Sequence, residues 1–165
     1  MTKRLILVFD TSPLIVLLDE LGMHEEIQRL AQLATIVIPK QVTAEYGKSI
    51  KIEGALTRAT ENQRIGKRGL GAGEQAVISI AKTLAQNSAD TAVIAVSDDK
   101  RARKVCKEVG IECMGTLGLI ELMKKNRIIT KAKAITTIRA VEKTSLYVTK
   151  HLIDEVITKI QNQEP

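Results

Sequence analysis

Acidic residues occur at four places in this 165-residue chain where the ends of strands or helices would let carboxylates converge. Asp10 directly follows the apolar run Leu5-Ile6-Leu7-Val8-Phe9, and Asp98-Asp99 follow a second apolar run, 91–96, through Ser97. Glu45 shares a helical face with Val42, Tyr46 and Ser49, at spacing i, i+3, i+4, i+7. Glu74 opens a strong apolar helical stripe directly after Gly71-Ala72-Gly73. Each acid has an ordinary explanation on its own. Asp10 and the 98–99 pair suit helix caps, Glu45 suits the rim of a half-apolar face, and Glu74 is favoured by a helix N-terminus. Those explanations leave two features over. Adjacent carboxylates repel unless a cation is near, and the Gly-x-Gly before Glu74 reads as a device for a tight turn. As a set, the acids offer the oxygen ligands that Mg²⁺ or Mn²⁺ prefer. Such an ion supplies a nucleophilic water and offsets the charge on a phosphodiester in its transition state.

The remaining inventory excludes several other chemistries. His24, His151, Cys106 and Cys113 do not fall at zinc-site spacings, and the two cysteines read as core fillers. A P-loop needs Gly-Lys-Ser/Thr where Gly73 is followed by Glu74. A phosphotransferase of the haloacid dehalogenase type needs a second Asp where this chain has Ser12. Phe9, Tyr46 and Tyr147 are the whole aromatic content, so single-strand binding along a row of stacked bases is not expected. With no apolar run near ~20 residues, no membrane span is expected. The default is a reduced, cytoplasmic protein.

Positioning such acids requires alternating strands and helices. Continuous apolar runs at 5–9, 35–38 and 91–96 suit strands buried on both faces, and 111–113 suits a fourth, short one. Helical patterns follow each: 13–21 closed by Gly22, 23–33, 40–52, 74–86, the stripe Ala102, Val105, Cys106 and Val109, and most of the chain beyond 114. Residues 53–70 are weakly patterned. This alternation predicts a three-layer α/β/α fold with a central, mainly parallel sheet of four or five strands. With 44% hydrophobic residues and no linker or repeat, 1–165 reads as a single domain with a helical C-terminal extension from about 123. Ligands of such sheets gather at the carboxyl ends of the strands, where Asp10 and Asp98-Asp99 lie.

The ordered set Asp10-Thr11-Ser12, Glu45, Gly71-Ala72-Gly73-Glu74-Gln75-Ala76 and Ser97-Asp98-Asp99-Lys100-Arg101-Ala102-Arg103 resembles the PIN-domain ribonuclease family. Ile111 and Gly115-Thr116-Leu117-Gly118 resemble its prokaryotic subgroup with a Gly-x-Gly-Glu motif, and the likeness runs from about 5 to 122. The resemblance implies a Mg²⁺- or Mn²⁺-dependent endoribonuclease, often the VapC-like toxin of a toxin–antitoxin pair, with RNA as substrate, an antitoxin protein as partner and a homodimer as assembly. It implies that Asp10, Glu45, Glu74 and one of Asp98 and Asp99 are catalytic metal ligands, the spacing from Ser97 favouring Asp99. Ser12 and Ser97 match positions where the family places a small hydroxyl residue near the metal or its water. Glu74 stands where many relatives carry Asp, which changes reach and not charge. The competing reading is a catalytically silent module that keeps the fold and binds nucleic acid or protein.

Net charge is +6, and the cations cluster. Lys100, Arg101, Arg103, Lys104 and Lys107 lie on the helix after the paired aspartates, and phosphate contact there competes with a plain solvated face. A Gly-punctuated stretch with Arg58, Arg64, Lys67 and Arg68 lies between Glu45 and Glu74, and loops so placed suit substrate binding. Lys67, Arg68, Lys100 and Arg101 are the substrate-binding candidates. Eight further cations run from Lys124 to Lys150, with Glu142 the one acid among them.

Overall fold

The computed structural model describes residues 3–60 and 69–165. Five strands, β1 (Arg4–Phe9), β2 (Thr35–Pro39), β3 (Leu56–Arg58), β4 (Thr91–Val96) and β5 (Glu112–Met114), form one sheet in the order β3-β2-β1-β4-β5. Every pairing is parallel. Helices α1 (Thr11–Leu14), α2 (His24–Leu33), α3 (Lys40–Tyr46), α4 (Ala72–Asn87), α5 (Lys100–Val109), α6 (Thr116–Lys125), α7 (Lys131–Ala140) and α8 (Lys150–Gln161) complete a three-layer α/β/α arrangement.

In β1, β2 and β4 burial deepens toward the carboxyl end: the last three residues of each are buried. Those ends are apolar on both faces because α4 packs across β1, β2 and β4 while other helices cover the opposite side. Central β1 pairs with β2 on one side and β4 on the other, so the chain reverses its direction of winding there. Phe9 is in register with Val96, and the Asp10 N–H continues the ladder to the Val96 carbonyl at 2.9 Å. Ser97 likewise bonds to the Met114 carbonyl at 2.9 Å. Asp10 and Ser97 therefore emerge side by side from the two middle strands.

Two elements depart from the sequence pattern. The helix expected over 40–52 stops at Tyr46, because Gly47 takes φ 71° and turns its N–H back onto the Thr43 carbonyl. The segment beyond it is held by the Gln28 side chain, which accepts from the Glu53 N–H at 2.9 Å and donates to the Glu53 carbonyl at 3.1 Å. That brings the chain to β3, a fifth strand of three half-exposed or exposed residues with too little apolar content to show in the pattern. The second departure is local. After α1 the helix widens into a π-helical segment, Ile15–Glu20, with Leu21 bonding back to Val16.

The C-terminal helices share the main core: Met123, Ala134, Ile138 and Ile160 are fully buried. Several cations of the Lys124–Lys150 cluster work inside the fold. Lys124 is buried and donates to the Glu164 carbonyl at 2.7 Å, Lys131 donates to the Gln161 and Gln163 carbonyls, and Lys133 pairs with buried Glu26. Cys106 and Cys113 are free thiols in adjacent α5 and β5, where hydrogen bonding to Cys106 and burial push the Cys113 thiol up. Among the described residues, no helix is long and apolar enough to cross a membrane.

Candidate active site

Asp10 is the centre of the acidic group. Only 4% exposed, it accepts from the Thr11 N–H through Oδ1 at 2.8 Å and from the Ser97 hydroxyl through Oδ2 at 2.8 Å. Burial pushes its carboxyl up to about 6, against the two hydrogen bonds, and the charges of Glu74 and Glu45 push it further the same way. A buried carboxylate facing two more acids is electrostatically unfavourable as it stands.

Glu45 projects from the last turn of α3 toward α4. Its Oε1 accepts from the Gly73 N–H at 2.9 Å and its Oε2 from the Thr11 hydroxyl at 2.6 Å. Thr11 thereby joins Asp10 through its backbone to Glu45 through its side chain. Behind Glu45, the Tyr46 hydroxyl donates to Asp19 Oδ1 at 2.7 Å and Lys48 pairs with Asp19 Oδ2 at 3.0 Å, which ties the end of α3 to the π-helical segment.

The glycines before Glu74 serve a different purpose from the expected tight turn. Gly71 has φ −70°, open to any residue, and Gly73 lies inside α4. What a side chain would displace is the carboxylates. A Cβ on Gly73 would lie 2.5 Å from Glu45 Oε2, and one on Gly71 would lie 2.5 Å from Glu74 Oε2. The missing methyls leave room for two acids against the start of α4, where free N–H groups favour negative charge.

Asp98 and Asp99 part company. Exposed Asp99 caps α5, accepting from the Ala102 N–H at 2.8 Å, while its own N–H reaches the Ser97 hydroxyl at 3.3 Å. Half-buried Asp98 turns toward α6, accepting from the Thr116 N–H at 2.7 Å and the Thr116 hydroxyl at 2.6 Å. Gly115 makes space for it, since a Cβ there would lie 2.6 Å from Asp98 Oδ1. Ser12 lies half-buried in α1, two residues from Asp10. Lys100 and Arg101 are exposed on the first turn of α5, and Arg101 donates to the Gly69 carbonyl at 3.3 Å. Arg64, Lys67 and Arg68 lie outside the described residues; Arg58 is in β3.

The arrangement thus brings Asp10, Ser97, Thr11, Glu45 and the start of α4 together, with Glu74 close enough to act on Asp10 through its charge. Thr11 and Thr116 stand within the motifs quoted from the sequence, but their roles do not show there, because each acts by holding a carboxylate and neither is titratable. The donors fit a hard divalent cation by chemistry: all are carboxylate oxygens, and the repulsion among Asp10, Glu45 and Glu74 is what a cation would relieve. As the side chains stand, Asp10 and Glu45 are each turned to hydrogen-bond donors, and among the described residues no three acids, histidines or cysteines close around one point.

A PIN-domain family model matches residues 6–162. The chain belongs to the PIN-domain family. PIN domains are in general a nuclease fold that uses divalent metal ions. The PIN fold is also seen in a solved structure similar to this chain, a PilT N-terminus domain protein from the hyperthermophilic archaeon Sulfolobus solfataricus P2. The two are 14% identical, superpose with a TM-score of 0.51, and the match covers 97% of each chain. At that identity the likeness speaks for the fold. A search among curated proteins finds no match.

Proposed function

We propose that this PIN domain is a divalent-metal-dependent endoribonuclease. Asp10 carries the reading: a buried carboxylate where two parallel strands end, made costly to ionise by its burial and by Glu74 and Glu45. Asp10, Glu45 and Glu74, with Asp99 beside them, would hold Mg²⁺ or Mn²⁺. When bound, the ion would lower the pKa of a water and offset the charge on the phosphodiester. The chain's own groups do the positioning. Ser97 fixes Asp10, Thr11 and the Gly73 N–H fix Glu45, and Lys100 and Arg101, exposed on the first turn of α5, would contact substrate phosphates. Attack by water on phosphorus with loss of the 3′ oxygen leaves a 5′-phosphate and a 3′-hydroxyl.

The test is cleavage of a labelled single-stranded RNA by purified protein in Mn²⁺ or Mg²⁺, with EDTA and Asp10→Asn as controls. Both controls should abolish cutting. RNA cleavage by Asp10→Asn at the wild-type rate would refute the assignment. A catalytically silent module would show no cleavage and no stabilisation by Mn²⁺ in thermal melting.

A further inference from the structure

We propose that an apolar groove beside the acidic group is a nucleobase subsite, in which Tyr147 stacks on a base of the RNA strand whose phosphates lie along α5. This rests on the nuclease reading and adds to it where, and by what contact, the substrate is held. The groove has a volume of about 410 Å³ and is bounded by Leu117, Leu146, Val148 and Leu152, with Tyr147 at its edge. That size and lining suit a small, flat, apolar-faced group.

Tyr147 stands out against the other aromatics. Phe9 and Tyr46 are buried, whereas Tyr147 is 88% exposed. Its exposure does not come from a loose chain. The Ser145 N–H donates to Glu20 at 2.8 Å, the Leu146 N–H to the Thr144 hydroxyl at 3.3 Å, and Thr149 caps α8 by accepting from the Leu152 N–H at 3.2 Å. Fixed on both sides, the segment presents the ring outward. An aromatic offered to solvent from an anchored backbone beside an apolar cleft is the stacking element that single-strand binders use, in a sequence-tolerant way.

Charge identifies the occupant as anionic along one side. Lys100 and Arg103 line the groove, and neither forms an ion pair among the described residues. The two acids of the lining are already engaged: Asp98 with Thr116, and Glu121 with Lys159 at 2.8 Å. Two cations beside an apolar lining, without an ion pair among the described residues, suit a nucleotide that offers its phosphate to them and its base to the groove. The location agrees. Met114 and Gly115, at the carboxyl end of β5, form part of the wall, two strands from β1 and Asp10. That offset is roughly 10 Å along the sheet edge for the wall nearest Asp10, within the span of a short single strand.

The test is fluorescence anisotropy in EDTA, so that nothing is cut. Wild type, Tyr147→Ala and Tyr147→Phe are each titrated with a five-nucleotide single-stranded RNA and with an abasic oligonucleotide of the same length. Thermal melting checks that the variants fold, as substitution of so exposed a side chain allows. Tyr147→Ala should weaken binding of the base-containing RNA roughly tenfold or more, Tyr147→Phe should retain it, and the abasic strand should bind wild type and Tyr147→Ala alike. Equal weakening on both oligonucleotides, no weakening, or no RNA binding by wild type would overturn the subsite. So would a concentration-dependent dimer, seen by sedimentation, that Tyr147→Ala dissolves while RNA binding is unchanged; the groove would then be covered by a second copy. The two readings fail separately. Wild-type cleavage with an indifferent Tyr147 removes the subsite alone, and Tyr147-dependent binding without cleavage in Mn²⁺ removes the nuclease alone.

Discussion

Asp10 shows how a single buried carboxyl bears on the stability of the molecule. Its carboxyl titrates near 3.8 when unfolded and is pushed up to about 6 in the fold, so the folded protein holds the proton more tightly. Stability contributed by the protonated form is present below about pH 4 and is lost as pH rises through about 6. The full loss at neutral pH is about 3 kcal/mol. Asp10→Asn keeps an acceptor for the Thr11 N–H and carries no charge. In EDTA it should melt several degrees above wild type at pH 7–8, with the gap closing toward pH 4, as thermal unfolding across that range would show. Parallel pH profiles for the two proteins would contradict this account. Gly73 supplies a second expectation. Alanine is a better helix residue by roughly 0.5–1 kcal/mol, and the atoms its methyl would strike belong to the movable end of Glu45. Gly73→Ala should therefore match or exceed wild type in melting temperature while losing most Mn²⁺-dependent cleavage.

At the scale of elements, the site depends on helix ends that borrow their caps. The N-cap of α6 is Gly115, which has no side chain to offer, and Asp98 serves the first turn from across the sheet edge. Asp98→Ala would leave buried Thr116 without that partner and should cost about 1–2 kcal/mol of stability in denaturant unfolding. Asp99→Ala removes the cap of α5 and costs a similar amount; activity separates the two, with the larger loss expected for Asp99→Ala. Much of this level was legible in advance. Long apolar runs declared β1, β2 and β4, and Asp10, following one of them directly, was placed at its carboxyl end by that pattern alone. β3 was not legible, because three residues at a sheet edge carry almost no burial signal. The different loyalties of Asp98 and Asp99 were not legible either. They depend on Thr116 arriving from eighteen residues away, and adjacent identical residues give a pattern nothing to separate. The Gly-x-Gly was visible, but its purpose was misread: the glycines are required by carboxylates from elsewhere in the fold and not by their own backbone angles.

For the molecule as a whole, the surplus of +6 is less available than the sequence suggests, since Lys124, Lys131 and Lys133 are engaged within the fold. Exposed Lys100, Arg101 and Arg103 remain at the edge of the sheet where the acids stand. RNA binding should accordingly fall steeply with salt, and Arg103→Ala should make the slope of log affinity against log salt shallower by about one. A nearly flat dependence in wild type would argue against backbone contacts. The strand order has a consequence in time as well as in space. β1 precedes β2, β3 and β4 in the chain, yet it pairs with β4, Arg4 facing Thr91, and the Ser97 that holds Asp10 lies beyond β4. Neither the segment carrying Asp10 and Glu45 nor the segment carrying Glu74 and Asp99 has the whole set. During synthesis, then, the acids cannot assemble until β4 and the residues just after it have left the ribosome and β4 has docked beside β1. On the proposed nuclease reading, a nascent chain too short to have made β4 would be inert toward RNA.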